Sequence, residues 1–320
     1  MHRRRNYMTE VTKQKRRANS YKKFLGDMLN DWQLYVLIFP GMVYLFIFSY
    51  IPMYGVQIAF KDFNSMLGIW GSEWIGFKHF SRFITYPLFL KILKNTLTLS
   101  LYSIATFPCS VILALLLNEL DNAKFKKTVQ MVSYAPHFIS TVVICGMIKL
   151  FFGRSNGLVN NIIEYFGGTR FDFLASAASF PHIYVWSGVW QGIGWGTIIY
   201  LAALSNVSAE MQEAARIDGA NRMQIMTRIN LPTILPTVMT MLILRCGSVL
   251  GVGFEKIYLL QNNLNLDASQ VISTYVYEVG IGGAQFSYSS SIGLFNTVVN
   301  IIVLMIVNTI SRKLSSISIW

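Results

Sequence analysis

205-SNVSAEMQEAARIDGANRMQIMTRINLPTILP-236 is a polar stretch of 32 residues between two long apolar runs, and its reading decides the rest of the chain. Ser208 is placed to cap a helix. Glu210 falls in the first turn, where the positive end of the helix dipole favours an anion, and Gly219 stands where a left-handed residue ends the helix. The spacing predicts one short helix over residues 209–218. Asn221 is placed to cap a second, in which Met223, Met226 and Ile229 recur at three-residue intervals, with Pro232 ending it and Pro236 near the start of the next apolar run. Ala214 and Ala215 are small enough to let another surface approach the backbone, while Glu213, Arg216, Asp218 and Arg222 offer charges of both signs. This pattern suits a plug for a partner's socket; the competing reading is a solvated loop with a charged face.

Composition sets the class of the whole. Hydrophobic residues make up 53% of the 320 and charged residues only 13%, and the mean hydropathy is +0.45. The apolar residues fall in runs of about 20, the length needed to cross a bilayer as helix. The expected fold class is therefore all-α, a polytopic membrane protein with six transmembrane helices, near residues 34–54, 95–117, 128–152, 181–204, 237–255 and 289–310. Residues 32–94 would hold the first span and an aromatic-rich segment of short helices lying on the outer membrane surface. Residues 95–320 would form a five-helix core interrupted by the 205–236 loop, with a further short helix over 269–278. Cys109, Cys145 and Cys246 all fall in expected spans, so no disulfide framework or zinc site is implied.

Residues 1–31 form a basic tail, nine Lys or Arg against Glu10, Asp27 and Asp31, suited to lie against anionic lipid. Six spans put both termini on one side. The segments on that side carry 17 of the 27 Lys and Arg and the opposite loops carry 8, with Lys149 and Arg245 inside spans. Positive charge accumulates on the cytoplasmic side, which places both termini and the 205–236 loop in the cytoplasm. The same asymmetry accounts for the net charge of +12 without nucleic acid.

Catalytic patterns are scarce. No G-x-x-x-x-G-K-[ST] occurs, so any ATP must be bound by another subunit. Gly153-Arg154-Ser155-Asn156-Gly157 matches the G-x-S-x-G nucleophile elbow but follows a membrane span rather than a strand, and its glycines read as turn residues. His2, His79, His137 and His182 form no metal-binding pattern. No catalytic residue, metal ligand or cofactor site is expected in this chain. Polar residues inside spans are better functional pointers, because lipid makes them costly. Arg245, near the middle of the fifth span, either faces a water-filled pathway or a partner subunit or bonds internal carbonyls as a structural residue. His137, after Pro136, is either a pathway or a core residue, and Lys149 near a span end is placed to snorkel. Trp186, Trp190, Gln191 and Trp195 accompany Gly188, Gly192 and Gly196 at four-residue spacing, a surface able to stack on and hydrogen-bond a sugar or simply to pack closely.

The spacing of Glu213-Ala214-Ala215, three residues, Gly219, nine residues, Ile229, one residue, Leu231-Pro232 resembles the EAA motif of the membrane subunits of bacterial ABC importers at all seven fixed positions. That resemblance implies the type I importer permease fold. It also implies a cytoplasmic ATPase-coupling role for Glu213, Ala214, Ala215, Arg216, Asp218, Gly219, Ile229, Leu231 and Pro232, with Leu231 and Pro232 setting the return into the membrane. The stretch 31-DWQLYVLIFPGMVYLFIFSYIPMYGVQIAFKDF-63, Asn95-Thr96-Leu97 and Ser273-Thr274-Tyr275-Val276-Tyr277 are similar to the complex-carbohydrate branch of sugar permeases, which takes rhamnogalacturonan- and alginate-like oligosaccharides. By that likeness the chain would be a non-catalytic permease in a bacterial cell membrane. It would pair with a second, related permease, with two cytoplasmic ATPase subunits that bind ATP and Mg, and with an extracytoplasmic solute-binding protein. Pathway candidates are then His137, Trp186, Trp190, Gln191, Trp195 and Arg245. The alternatives are an ion-coupled secondary carrier, which would ordinarily need intramembrane carboxylates where only Glu255 approaches a span, and a membrane-embedded hydrolase, which would need a base paired with its nucleophile.

Overall fold

The computed structural model describes residues 31–315, with side chains to residue 313; the basic tail expected over residues 1–31 lies, apart from Asp31, outside the described residues. The chain divides into two compact units, Met1–Gln57 and Ile58–Trp320. Most of the first helix, Trp32–Phe60 (α1), belongs to the first unit. It absorbs Pro52 by widening to a π turn at Phe46–Tyr50, where Ile51 N–H reaches back to the Phe46 carbonyl. A proline ring clashes with the carbonyl four residues earlier, and one wider turn relieves that clash.

The second unit opens with a two-residue antiparallel ladder, β1 Lys61–Asp62 against β2 Glu73–Trp74, with Lys61 opposite Trp74. The aromatic segment expected to be short surface helices is thus partly a small β-hairpin, followed by α2 (Lys78–Ile84). Phe89–Asn118 (α3) is the next membrane-length helix and starts six residues before its expected boundary. The expected third span, 128–152, is not one helix. Ala123–Phe138 (α4) and Thr141–Phe152 (α5) meet at a bend of 100°. Pro136 closes α4 in a tight 3-10 turn, Ser140 caps α5 by accepting the Val143 N–H, and the carbonyl freed at Ile139 accepts a hydrogen bond from Gln191 Nε2 at 3.3 Å. Away from water such a break is tolerated only where neighbouring groups replace the lost bonds.

Leu158–Tyr165 (α6) lies in the following loop, and Phe180–Leu204 (α7) is the central helix. Ala209–Ile217 (α8) precedes Arg222–Cys246 (α9), which is continuous through both Pro232 and Pro236. The expectation that Pro232 ends a short helix is therefore corrected. A π turn at Met226–Asn230, closed by Leu231 N–H to the Met226 carbonyl, admits the proline as α1 admits Pro52. α9 also ends nine residues before the expected 255. Turns follow Cys246, and Asn300 accepts the Leu250 N–H at 2.9 Å. Phe254–Leu260 (α10), Ile272–Tyr277 (α11) and Phe286–Ser315 (α12) complete the chain. A separate turn at Leu266–Ser269 and α11 replace the single helix expected over 269–278.

Among the described residues four helices, α1, α3, α9 and α12, are individually long and apolar enough to cross a membrane, and α4 with α5 makes a fifth as a broken span. The sixth expected crossing is α7, whose 25 residues reach about 37 Å. Its glycines and tryptophans make it less apolar, in keeping with its place among other helices. It packs on α3, α4 and α9. The glycines of α7 do two different jobs. A Cβ at Gly194 would overlap the Ser133 carbonyl of α4 and one at Gly196 would come within 2.6 Å of Ser110 Oγ, whereas Gly192 faces open space. Within the four-residue stripe, then, Gly196 packs tightly, Gly192 is open and Gly188 lies against Lys256 Nζ. Asn95, Thr96 and the region near Ser273 meet as a structural joint: Asn95 Nδ2 donates to the Asp267 and Gln270 carbonyls, and Ile272 N–H donates to Thr96 Oγ1 at 3.0 Å.

Gly194→Leu forces a side chain into backbone and is expected to destabilise the bundle by about 1–3 kcal/mol or more. Thermal unfolding of the detergent-solubilised protein should show a clear drop, with Gly192→Ala close to the parent.

Candidate functional sites: an exposed loop helix and a polar cavity

The 205–236 stretch folds as its sequence predicts at the first helix. Ser208 caps α8 by accepting the Met211 N–H. At the other end Gly219 adopts φ +83°, with Gly219 N–H bonded to the Arg216 carbonyl and Ala220 N–H to the Ala215 carbonyl at 2.9 Å. This paired closure satisfies orphan carbonyls of the last turn, and only glycine takes that backbone conformation without penalty. Asn221 and Gln224 then form a reciprocal capping box, each side chain accepting the other's backbone N–H.

Glu213, Ala214, Arg216, Asp218 and Gly219 are exposed and Ala215 is half-buried. Ile217 is 87% exposed, with Met211 and Met223 also open. The exposed face of this charged helix therefore includes apolar side chains beyond the motif positions. Ile229 and Leu231 behave differently, packing against a cluster of Val111, Leu115, Tyr200, Leu204 and Ile234. The motif thus divides into an outward face and an inward anchor, with Pro232 exposed beside the anchor.

Asn230, fully buried, joins the two. Its Oδ1 accepts from Gln212 Nε2 of α8 at 2.9 Å, and its Nδ2 donates to Glu119 Oε1 at 3.0 Å. Arg222 adds an ion pair to Asp121 at 2.6 Å; both partners are largely exposed, so the pair contributes no more than about 1 kcal/mol. Sequence reading passed over Gln212, Asn230 and Glu119, because polar residues at a loop edge carry no signal of the partner they meet.

Beyond the loop, a polar cavity of about 490 Å³ lies between α3, α4, α7 and α9. His137, Gln191, Trp195 and Arg245 line it as candidates from the sequence. His137 stacks on Trp195 with ring centroids 4.4 Å apart and planes 5° from parallel. Trp186 and Trp190 are not brought to it. They line a separate apolar cavity of about 570 Å³ on another face of α7, and Trp186 Nε1 is engaged by Tyr102 Oη at 2.8 Å. Residues 186 and 190 share one helical face and 191 and 195 the next, so the four cannot serve one surface. A second polar cavity of about 200 Å³ shares Ser103, Tyr184 and Arg245 with the first. Lys256, expected in an outer loop, also lines the larger one.

The Gly153 to Gly157 pattern is a turn between α5 and α6 with no strand before it. Arg170 ties it down, donating to the Arg154 and Ser155 carbonyls and pairing with Glu164 at 2.7 Å, which holds the Glu164 carboxyl below its usual range.

A helical bundle with a cavity lined in part by polar side chains and an exposed, capped loop helix is the architecture of a membrane permease component. The chain belongs to the family of binding-protein-dependent transport system inner membrane components, whose model matches residues 83–315. It is 42% identical over 293 residues to the polygalacturonan/rhamnogalacturonan transport system permease protein YteP of Bacillus subtilis, covering 91% of each chain. It is 43% identical over 291 residues to protein LplB of the same organism, covering 91% of this chain and 92% of that one. The fold matches a bacterial ABC transporter for import of the acidic polysaccharide alginate with a TM-score of 0.84 at 38% identity, over 92% of this chain and 99% of that one. The protein is therefore the permease component of a binding-protein-dependent ABC sugar importer, a non-catalytic subunit whose ATPase is a separate chain.

Replacing Asn230 with Leu strands Gln212 and Glu119 without their buried partner, at a cost of about 1–3 kcal/mol. Hydrogen exchange should then show reduced protection of residues 209–217, with the membrane helices unchanged.

Proposed function

We propose that this chain is one of two related, non-identical permeases that together enclose the pathway for a rhamnogalacturonan- or alginate-like oligosaccharide. Two cytoplasmic ATPase subunits, which bind ATP and Mg, grip the 205–236 loops. Both termini and this loop lie in the cytoplasm, as the Lys and Arg distribution supports. The observation that carries the reading is α8: its exposed Glu213 to Gly219 surface is held by Asn230 to the base of α9, a helix that ends beside the polar cavity at Arg245.

Closure of the ATPase dimer on ATP binding moves α8 as a rigid body, and the attached helices rotate to open the cavity outward. The binding protein releases its sugar there, and hydrolysis restores the inward-facing state. His137, Gln191, Trp195 and Arg245 are the pathway residues in this scheme. The coupling must be stiff, since a loop that yielded would let the ATPase close alone.

Purification of this chain from native membranes in mild detergent, followed by mass spectrometry, should recover a P-loop ATPase and a second EAA-containing permease; recovery of neither from a folded, undissociated sample would overturn the assembly. Glu213→Lys and Gly219→Pro should each abolish sugar uptake, while immunoblots of membrane fractions show normal insertion. Normal uptake by a well-expressed Glu213→Lys protein would remove the docking role from this face.

A further inference from the structure

Lys256 is a cation in a place that makes cations costly. The residue is 9% exposed, and its Nζ has no hydrogen-bond partner among the described residues. It lies 5.5 Å from the centre of the Tyr184 ring and 3.6 Å from where a Cβ of Gly188 would stand, so the missing side chain at Gly188 leaves the ammonium its space in the cavity wall. A cation–π contact returns only a small part of what burying an unpaired charge costs.

Arg245 opens onto the same cavity. No Asp or Glu lines this cavity or the smaller one beside it, and neither cation takes part in the three ion pairs found among the described residues. Both residues therefore line a space that holds no protein anion, with the Lys256 ammonium itself covered in this conformation. At about 490 Å³ that space is within the range of small-molecule sites, about 300–1,000 Å³, and its His137–Trp195 stack offers an aromatic platform beside the charges.

We propose that Lys256 and Arg245 form an anion subsite in this cavity, which selects the oligosaccharide proposed above by pairing with a carboxylate of one of its uronic acid units. The planar guanidinium suits two-point binding of a carboxylate, and the ammonium acts as a point charge. The inference rests on the cavity being the translocation pathway. Transport also requires release, and a subsite with one strong and one partly desolvated cation binds without trapping.

The test uses the complete importer, with partner permease, ATPases and binding protein, in proteoliposomes. The probes are trimers of galacturonate, mannuronate and guluronate and their carboxyl-reduced counterparts, each saturating the binding protein. The parent complex should import at least one acid trimer tenfold or more faster than its reduced form. Lys256→Met should lower that uptake at least tenfold and erase the preference, while Lys256→Arg retains both; the binding protein is unchanged throughout, so a shift in preference reports on the cavity. An unaltered preference in an assembled Lys256→Met complex, or import of reduced trimers alone by the parent, would overturn the anion subsite and leave the importer reading in place. No import of any trimer by a complex that hydrolyses ATP would overturn the oligosaccharide reading, and this inference with it. Should Lys256→Met fail to assemble, Arg245→Gln decides by the same measure, loss of the acid preference supporting the subsite and an unaltered preference overturning it.

Discussion

A backbone in hydrocarbon has no water to bond, and each departure from the α-helix must be repaired by the protein itself. This constraint explains where the chain bends and what surrounds each bend. Pro52 and Pro232 are each preceded by a π turn that makes room for the ring and lets the helix continue past a residue with no N–H. The sharper break between α4 and α5 needs an outside donor, and Gln191 supplies it. Gln191, singled out as a sugar-binding candidate, thus holds the broken span in shape, and the break places His137 against Trp195 at the cavity wall. Repair of the backbone and construction of the cavity are one event here.

The loop depends on the same accounting, away from lipid. A nine-residue helix is too short to persist by propensity. Ser208 and the paired closure at Gly219 satisfy its ends, and the Gln212–Asn230–Glu119 chain attaches it to α9 and to the turn after α3. The exposed salt bridge from Arg222 to Asp121 adds little energy by comparison. Its position is still informative, because it joins the loop to that same turn.

Much of this was legible in the sequence where the signal is local. Ser208, Gly219 and Asn221 declare caps because capping is decided within four residues of chain. The loop's seven motif positions were readable as a unit, although their division into an exposed face and a packed anchor was not, since Ile229 and Leu231 reveal their neighbours only in three dimensions. Proline misled at Pro232, where a π turn overrode the usual rule. Trp186 and Trp190 misled because all four aromatic and amide residues of α7 share one segment but not one face. Lys256 stayed hidden for another reason. With the fifth span drawn to residue 255 it fell in a loop, where a lysine needs no explanation; once α9 ends at Cys246 the following turns carry it back to the cavity.

That earlier end of α9 changes what the helix can do. α9 begins in the loop at Arg222 and ends at Cys246, 25 residues or about 37 Å away, as one element despite two prolines. Near its base Asn230 holds α8, and in its last turn Arg245 faces the cavity. Had Pro232 ended one helix and begun another, a push on α8 would have spent itself at a hinge. The π turn at Met226–Asn230 instead carries the helix across that point, with Leu231 N–H bonded to the Met226 carbonyl just before the proline that has no N–H to give. Under the proposed coupling, displacement of the loop therefore arrives at Arg245 as movement of a single rod. The cation in the cavity and the docking surface outside it would then be two ends of the same lever.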